Sequence, residues 1–324
     1  MTIKEAYPTF VLPAPNGCNL ACPFCVIGQR REAEVSRLSP RDYIRFLTET
    51  MIRFKIGKMS LQGFEPLLPE TWPLTKDMLT IAAALGSYTS MITNGTYLKD
   101  HADELKGFLG VVDTLTVSLD SYDAVIHDKL RRVEGSFSSA IAGIRALKPN
   151  FYGSLQVNSV LLPHKASNLE YMPEFLTKLG VNQWALSPYI SIGNRSHVPQ
   201  GEQMRKDLQR LVEKADRLGL VMYLSDELRQ LQDNDLFEGF YMRTLAHNVE
   251  VFRLSPDGSC SRGVEVLGSS TKAPIWDSVE APADFLARVF AERGVQLEER
   301  SSSMKKLVAW RAARVLGNLN LERR

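Results

Sequence analysis

The sequence predicts an α/β fold: a partial (β/α)6 barrel of TIM-like type with a small C-terminal α+β extension. Three observations carry that expectation. Short β-rich runs alternate with helical patterns through six repeats joined by short links, and parallel strands with helical crossovers are how such an alternation packs. The repeats are long in series and evenly spaced, which favours a barrel, open or closed, over a doubly wound sheet. Polar or unusual residues fall at the C-terminal ends of the strands: Gly63 to Pro66, Asn94, Ser118, Asp120, Asn158, Ser187 and Tyr189. Both architectures place their chemistry there.

Taken in order, "PTFVLPAP" opens with a strand over Thr9 to Leu12, and a cysteine-bearing loop follows. "SPRDYIRFLTETMIRF" reads as a helix with Ser39 as cap and Pro40 at its first position. "KMSLQG" is the second strand. "LTKDMLTIAAALGS" is helical and Gly86 stops it. "YTSMITNG" is a strand, "DHADELKGFLG" a helix, "TLTVSLD" a strand and "SFSSAIAGIRALKP" a helix ended by Pro149. "GSLQVNSVLL" is the fifth strand. "NLEYMPEFLTKLG" reads as a helix capped by Asn168 and kinked at Pro173. "QWALSPYI" is the sixth strand, and a helix from Gln203 to Leu218 leads into "LVMYLS".

After about Ser225 the rhythm changes. Residues 1–225 are expected to form the barrel, and residues 226–324 an appendage or a cap that contributes to the substrate site. "VEVFRLSPDGSCSRGVEVLG" reads as two strands around an Asp-Gly turn. Helices follow in "APADFLARVFAERG" and in the basic "SMKKLVAWRAARVLGNLNLERR". The last of these raises the thought of an RNA surface. A packed stripe of Leu, Val, Trp and Ala with a solvated basic side is the simpler reading.

The 324 residues are 44% hydrophobic, enough for a large core, and 39 Lys and Arg balance 37 Asp and Glu. That balance gives no general reason to expect nucleic acid or an anionic membrane. No apolar run reaches the roughly 18 residues that span a bilayer, and the first residues lack a signal-peptide pattern. The expectation is a cytoplasmic, monomeric protein whose four cysteines are reduced thiols or ligands.

Three of the four lie in "PNGCNLACPFC", as Cys18, Cys22 and Cys25, spaced C-x3-C-x2-C. Buried structural thiols rarely need a loop rich in Pro, Gly and Asn. A zinc site wants a fourth ligand, either Cys260 or a histidine. A redox pair at Cys22 and Cys25 normally opens a helix and has no third thiol just before it. The remaining reading is an iron–sulfur cubane with three thiolate-held irons and one iron open to an external ligand. A loop after the first barrel strand puts such a site within reach of substrate.

These residues resemble the radical S-adenosylmethionine superfamily. The cysteine spacing, with Phe24 before the last cysteine, is similar to its signature. "LQGFEP" (Leu61 to Pro66) is similar to its Gly-Gly-Glu-Pro segment, with Phe64 in place of the second Gly. "TNGT" (Thr93 to Thr96) and "VSLDS" (Val117 to Ser121) fall where the family shows such segments. The resemblance covers roughly residues 10 to 225 and implies a [4Fe-4S] cluster on Cys18, Cys22 and Cys25. S-adenosylmethionine would chelate the fourth iron and be cleaved to a 5′-deoxyadenosyl radical that takes hydrogen from substrate. Glu65, or the backbone from Gly63 to Glu65, would contact the methionine amino group. Asn94 belongs to the same cofactor set. Ser118, Asp120 and Asn158 are candidates for ribose and carboxylate, and Leu186 to Tyr189, with Ser187, for adenine. Phe24 would pack near the adenine or shield the cluster. An external one-electron reductant, a flavodoxin or ferredoxin, is implied.

Cys260 is too solitary to hold a second cluster. Four roles stay open: a bystander in a turn, a hydrogen-atom donor to a substrate radical, a lone extra cluster ligand, or a covalent attachment site. The donor role has a chemical reason. Inverting a carbon centre needs hydrogen returned from the opposite face, and an S–H bond is weaker than an ordinary C–H bond. Size and the single late cysteine make the chain resemble radical S-adenosylmethionine epimerases of antibiotic biosynthesis, of the aminoglycoside (neomycin) type. The substrate expected is then a small, polar aminosugar. Carboxylates suit a polycation, and Asp257 and Glu265 bracket Cys260; Tyr223, Tyr189 and His197 are candidates for sugar hydroxyls. His127 and His164 read as surface or loop residues. A dehydrogenase, dehydratase or decarboxylase acting on a sugar or nucleoside, and a peptide-modifying enzyme, are the alternatives.

Overall fold

The computed structural model describes residues 9–12, 17–25, 38–107, 111–162, 167–190, 196–197, 202–224, 243–244, 251–254, 258–262, 274–292 and 296–318. Asp257, Glu265 and His164 lie outside them, as does the side chain of His197.

The chain folds as a partial barrel. The strands β1 (Thr9–Leu12), β2 (Lys58–Leu61), β3 (Tyr88–Thr93), β4 (Thr114–Ser118), β5 (Ser154–Leu161) and β6 (Gln183–Ile190) pair in sequence order, each parallel to the next. The sheet runs on past β6 into β8 (Val221–Leu224) and β9 (Arg243–Thr244), while β7 (Ser196–His197) folds back antiparallel on β6. At the other edge β10 (Val251–Leu254) lies parallel to β1, and β11 (Cys260–Arg262) completes an antiparallel hairpin with it. That hairpin is the one expected from the Asp-Gly turn, and it extends the barrel sheet. Among the described residues β9 and β11 stand at opposite ends of the strand order, with no pairing between them.

Helices α1 (Pro40–Arg53), α2 (Trp72–Ala84), α3 (Ala102–Gly107), α4 (Ala124–Arg131), α5 (Ser136–Leu147), α6 (Met172–Leu179) and α7 (Glu202–Arg217) connect the strands. Ser39 caps α1 as expected. Its side chain accepts from the Asp42 N–H while Asp42 accepts from the Ser39 backbone, which satisfies two otherwise orphaned donors. One expectation is corrected at α6: Asn168 is not its cap. The helix begins at Met172 with Pro173 in its first turn, where a missing N–H costs nothing, and Asn168 instead donates to the Asp120 carbonyl at 2.6 Å.

The core is continuous from the barrel into the C-terminal region. Phe10 of β1 meets Phe252 of β10 at 5.3 Å between ring centroids, and Phe46 of α1 meets Trp276 edge-on at 5.0 Å. The helices α8 (Pro282–Ala291) and α9 (Ser302–Asn318) pack against α1, and α9 also against α2. Arg300 donates to the carbonyls of Met51, Phe54 and Leu85, at the C-terminal ends of α1 and α2. Those helix ends are opposite the cysteine loop, so these described parts sit on the flank and base of the barrel. On α9 the buried residues are Val308 and Ala312, while Trp310 is 56% exposed. A position two residues from Val308 points to the other side of a helix, which corrects the stripe that included Trp310. Among the described residues no helix is long and apolar enough to cross a membrane.

Candidate radical-chemistry site

Cys18, Cys22 and Cys25 stand in the loop after β1 and line one open cleft of ≈ 440 Å³ at the C-terminal ends of the strands. Gly63, Phe64, Glu65, Ile92, Asn94, Ser118, Asn158, Val160 and Arg131 line it too. A cavity of this size suits a small ligand. Among the described residues no three Cys, His, Asp or Glu side chains are grouped to share one metal ion. A cubane asks something different, one thiolate per iron, and three soft donors spread around one cleft meet that demand.

The loop is held by its neighbours. The Glu65 N–H donates to the Gly17 carbonyl at 2.9 Å, and Ala21 N–H to the Arg131 carbonyl at 3.4 Å. Asn94 Nδ2 donates to Asn19 Oδ1 at 2.9 Å and reaches Cys18 Sγ at 3.6 Å. Burial pushes the thiols of Cys18 and Cys22 up, so iron must displace protons to bind.

The "LQGFEP" turn needs its glycine. Gly63 has φ +135°, a conformation that side-chain-bearing residues avoid, and it is exposed on the cleft wall. Gly95 of "TNGT" has φ +82°, and a Cβ there would meet Val117 Cγ1 at 2.9 Å. Glu65 is 2% exposed. Its Oε1 accepts from Thr93 Oγ1 at 2.6 Å and Leu67 N–H at 3.0 Å, and its Oε2 from Asn94 N–H at 2.7 Å. The carboxylate thus clamps the end of β2 to the end of β3, which leaves the backbone of Gly63 and Phe64 as the part of this turn free to meet a ligand's amino group.

Glu65 also yields a pH dependence. Burial raises its carboxyl to about 7 against the pull of those hydrogen bonds. The unfolded chain releases the proton near 4.5, so between the two values the folded state keeps a proton that the unfolded state has lost. The stabilisation is complete below the lower value and disappears as pH climbs through the upper one, a change of about 3 kcal/mol. Glu65→Gln is expected to remove this slope in urea denaturation of cluster-free protein at about pH 5 and about pH 8.

Arg131, which the sequence reading missed, joins these parts. It is 8% exposed, on α4. Its Nη2 lies 2.7 Å from Asp120 Oδ2, its Nη1 3.7 Å from Cys22 Sγ, and its guanidinium 5.4 Å from the Phe24 ring centroid. Burial opposes its charge, but Asp120 and Cys22 more than offset this and hold its pKa above the usual arginine range. Its Nε is buried without a hydrogen-bond partner, and Arg131 lines the cleft, so a cation stands in the wall beside the cysteines. His127, expected at the surface, is fully buried one turn away. Burial and Arg131 lower its pKa to about 4, and its Nδ1 accepts from the Asp120 N–H.

The other expected site residues divide. Phe24, Gly63, Glu65, Asn94, Ser118 and Asn158 line the cleft with the cysteines. Asp120 is turned to Arg131 and to the Val160 N–H, which it accepts at 2.9 Å. Ser187 donates to Asn158 Oδ1 at 2.9 Å. Ser187, Leu186, Tyr189 and Tyr223 are not among the described residues that line the cleft. Nor is Cys260, fully buried beside Gly258, whose carbonyl lies 3.7 Å from its Sγ.

A partial barrel with three cluster-spaced thiols, a buried cation and polar strand ends around one small-molecule cleft defines an iron–sulfur enzyme of radical chemistry. The chain belongs to the radical S-adenosylmethionine superfamily, whose model matches residues 12–178. It uses the [4Fe-4S] cluster and S-adenosylmethionine of that family. A probable GTP 3′,8-cyclase of Methanopyrus kandleri is 30% identical over 181 residues, 54% of this chain and 55% of the relative. The chain thus spans a little over half the length of that curated relative. Among solved structures, Streptococcus suis SuiB bound to S-adenosylmethionine superposes with TM-score 0.60 at 15% identity, over 83% of this chain and 63% of SuiB. Native anSMEcpe with bound AdoMet and Cp18Cys peptide superposes with TM-score 0.56 at 12% identity, over 97% of this chain and 99% of that one. At these identities the likeness is one of fold.

Proposed function

We propose that the enzyme takes a hydrogen atom from a small polar substrate, an aminosugar or aminoglycoside, and inverts the carbon centre with Cys260 as hydrogen donor. When bound, the cluster and S-adenosylmethionine supply the carbon radical that starts the reaction. Cys18, Cys22 and Cys25 would hold the irons, Arg131 would meet the cofactor's carboxylate, the Gly63–Phe64 backbone its amino group, and Ser118 and Asn158 its hydroxyls. Phe24 and Phe64 shield the reacting centre from water. The observation that supports the donor role is the place of Cys260 in the register. It pairs with Leu254, one residue past the Val11–Arg253 pair, at the end of the sheet where the cysteine loop leaves β1. There it would give its S–H hydrogen to the substrate radical, and the thiyl left behind would regain one electron from the external reductant and one proton from solvent. We also infer a monomeric, cytoplasmic enzyme.

The burial of Cys260 outside the cleft lining favours a second reading: a dehydrogenation, dehydration or decarboxylation that needs no donor. Turnover of candidate aminosugars in deuterated water, beside Cys260→Ala, separates the two. Epimerisation places one deuterium in the product, and the variant still forms 5′-deoxyadenosine while inversion falls to background. Unimpaired inversion by the variant rejects the donor role.

A further inference from the structure

We propose that Arg131 raises the reduction potential of the iron–sulfur cluster and that Asp120 opposes it; this rests on the radical reading above. A reduced cluster carries one more negative charge than an oxidised one. A cation or an N–H donor beside a cluster sulfur therefore favours reduction. Arg131 supplies both, since its Nη1 lies 3.7 Å from Cys22 Sγ. Cys18, by contrast, receives neutral donors, the Leu20 N–H at 3.4 Å and Asn94 Nδ2 at 3.6 Å. Neutral hydrogen bonds are enough to hold a loop in place. A full charge brought to one cluster ligand also acts on the electron affinity of the metal.

The surroundings keep that field strong. Arg131 is buried, Asp120 more so, and the Phe24 ring lies 5.4 Å from the guanidinium, so water screens little of the charge. Asp120 works in the other direction. Its carboxylate lies 2.7 Å from Nη2 and is fixed by the Val160 N–H at 2.9 Å, and it withdraws part of the positive field from the cysteine loop. The guanidinium thus spans Cys22 and Asp120 with one nitrogen on each. The nearby groups add little to this balance. Asp128 is tied to Gly135, Ser136 and Phe137, and His127, with its pKa at about 4, is neutral at neutral pH.

The test uses reconstituted holoenzyme without S-adenosylmethionine, titrated with dithionite and mediators and followed by the electron paramagnetic resonance of the reduced cluster. At the potential that leaves wild type half reduced, Arg131→Met is expected to show at least a tenfold lower ratio of reduced to oxidised cluster, a midpoint lower by about 59 mV or more. Asp120→Asn is expected to shift the midpoint upward. The double variant Asp120→Asn, Arg131→Met leaves neither buried charge alone and serves where a single variant folds poorly. Its midpoint should fall below wild type, because of the two charges the guanidinium is the one that touches the sulfur. An unshifted midpoint in the double variant, or single variants that shift in the same direction, would overturn the proposal. Wild-type protein that shows no reducible cluster signal at any potential would instead reject the cluster reading, and the tuning with it.

Discussion

Cys22→Ala is expected to remove the iron–sulfur chromophore and all 5′-deoxyadenosine formation while leaving the fold in place. In the proposed site each of the three loop thiols would hold one iron of the cubane, so no ligand is spare. The fourth cysteine offers no substitute, since Cys260 is fully buried in the core. The fold has no such dependence on the thiol. The loop stays anchored through Gly17 to Glu65 and Ala21 to Arg131, and a half-buried Sγ contributes little packing. Cys18→Ala and Cys25→Ala should behave alike. Iron analysis, the visible spectrum of anaerobic protein and the denaturation midpoint of cluster-free protein give the three readouts. A variant that keeps its brown colour and its activity would contradict the assignment of these thiols as cluster ligands.

The parts of this site that were legible in the sequence are those whose chemistry is local. Three cysteines in one loop, a glycine that must take φ +135° and "TNGT" at a strand end each announce themselves within a few residues. The strand–helix rhythm was legible for the same reason, because apolar periodicity and caps such as Ser39 act over one or two turns. The extent of the sheet was not. β10 joins β1 across most of the chain, and a four-residue strand says nothing of its partner. Helix α4 stayed hidden for a physical reason: its buried face is His127 and Arg131, so a search for apolar residues at helical spacing finds only Val125 and Ile126, which face water. The usable signals were Asp123 as an N-cap before Ile126 and two polar residues spaced four apart. Asp120 is a cofactor candidate by resemblance, and its ion pair with Arg131, a cation eleven residues on, is a contact that no local pattern announces.

That pair is where the site and the stability of the chain meet. Arg131→Met is expected to destabilise the protein by about 3–5 kcal/mol, because it strands a buried carboxylate without its cation. Asp120 is 1% exposed, so water cannot take over the solvation that Arg131 supplies. Asp120→Asn alone should cost a similar amount by leaving the buried guanidinium uncompensated, although Cys22 and the Phe24 ring lie close enough to soften that loss. With both charges gone, Asp120→Asn, Arg131→Met should recover much of the stability, giving a coupling that a double-mutant cycle in urea reads directly. Activity should not follow. The double variant lacks the buried Arg131 cation beside the cysteines that would meet an anionic ligand group, so its 5′-deoxyadenosine formation stays as low as that of Arg131→Met. Recovery of both together would reduce Arg131 to a structural partner of Asp120. A loss below about 1 kcal/mol in Arg131→Met would show that the pair is as weak as an exposed one.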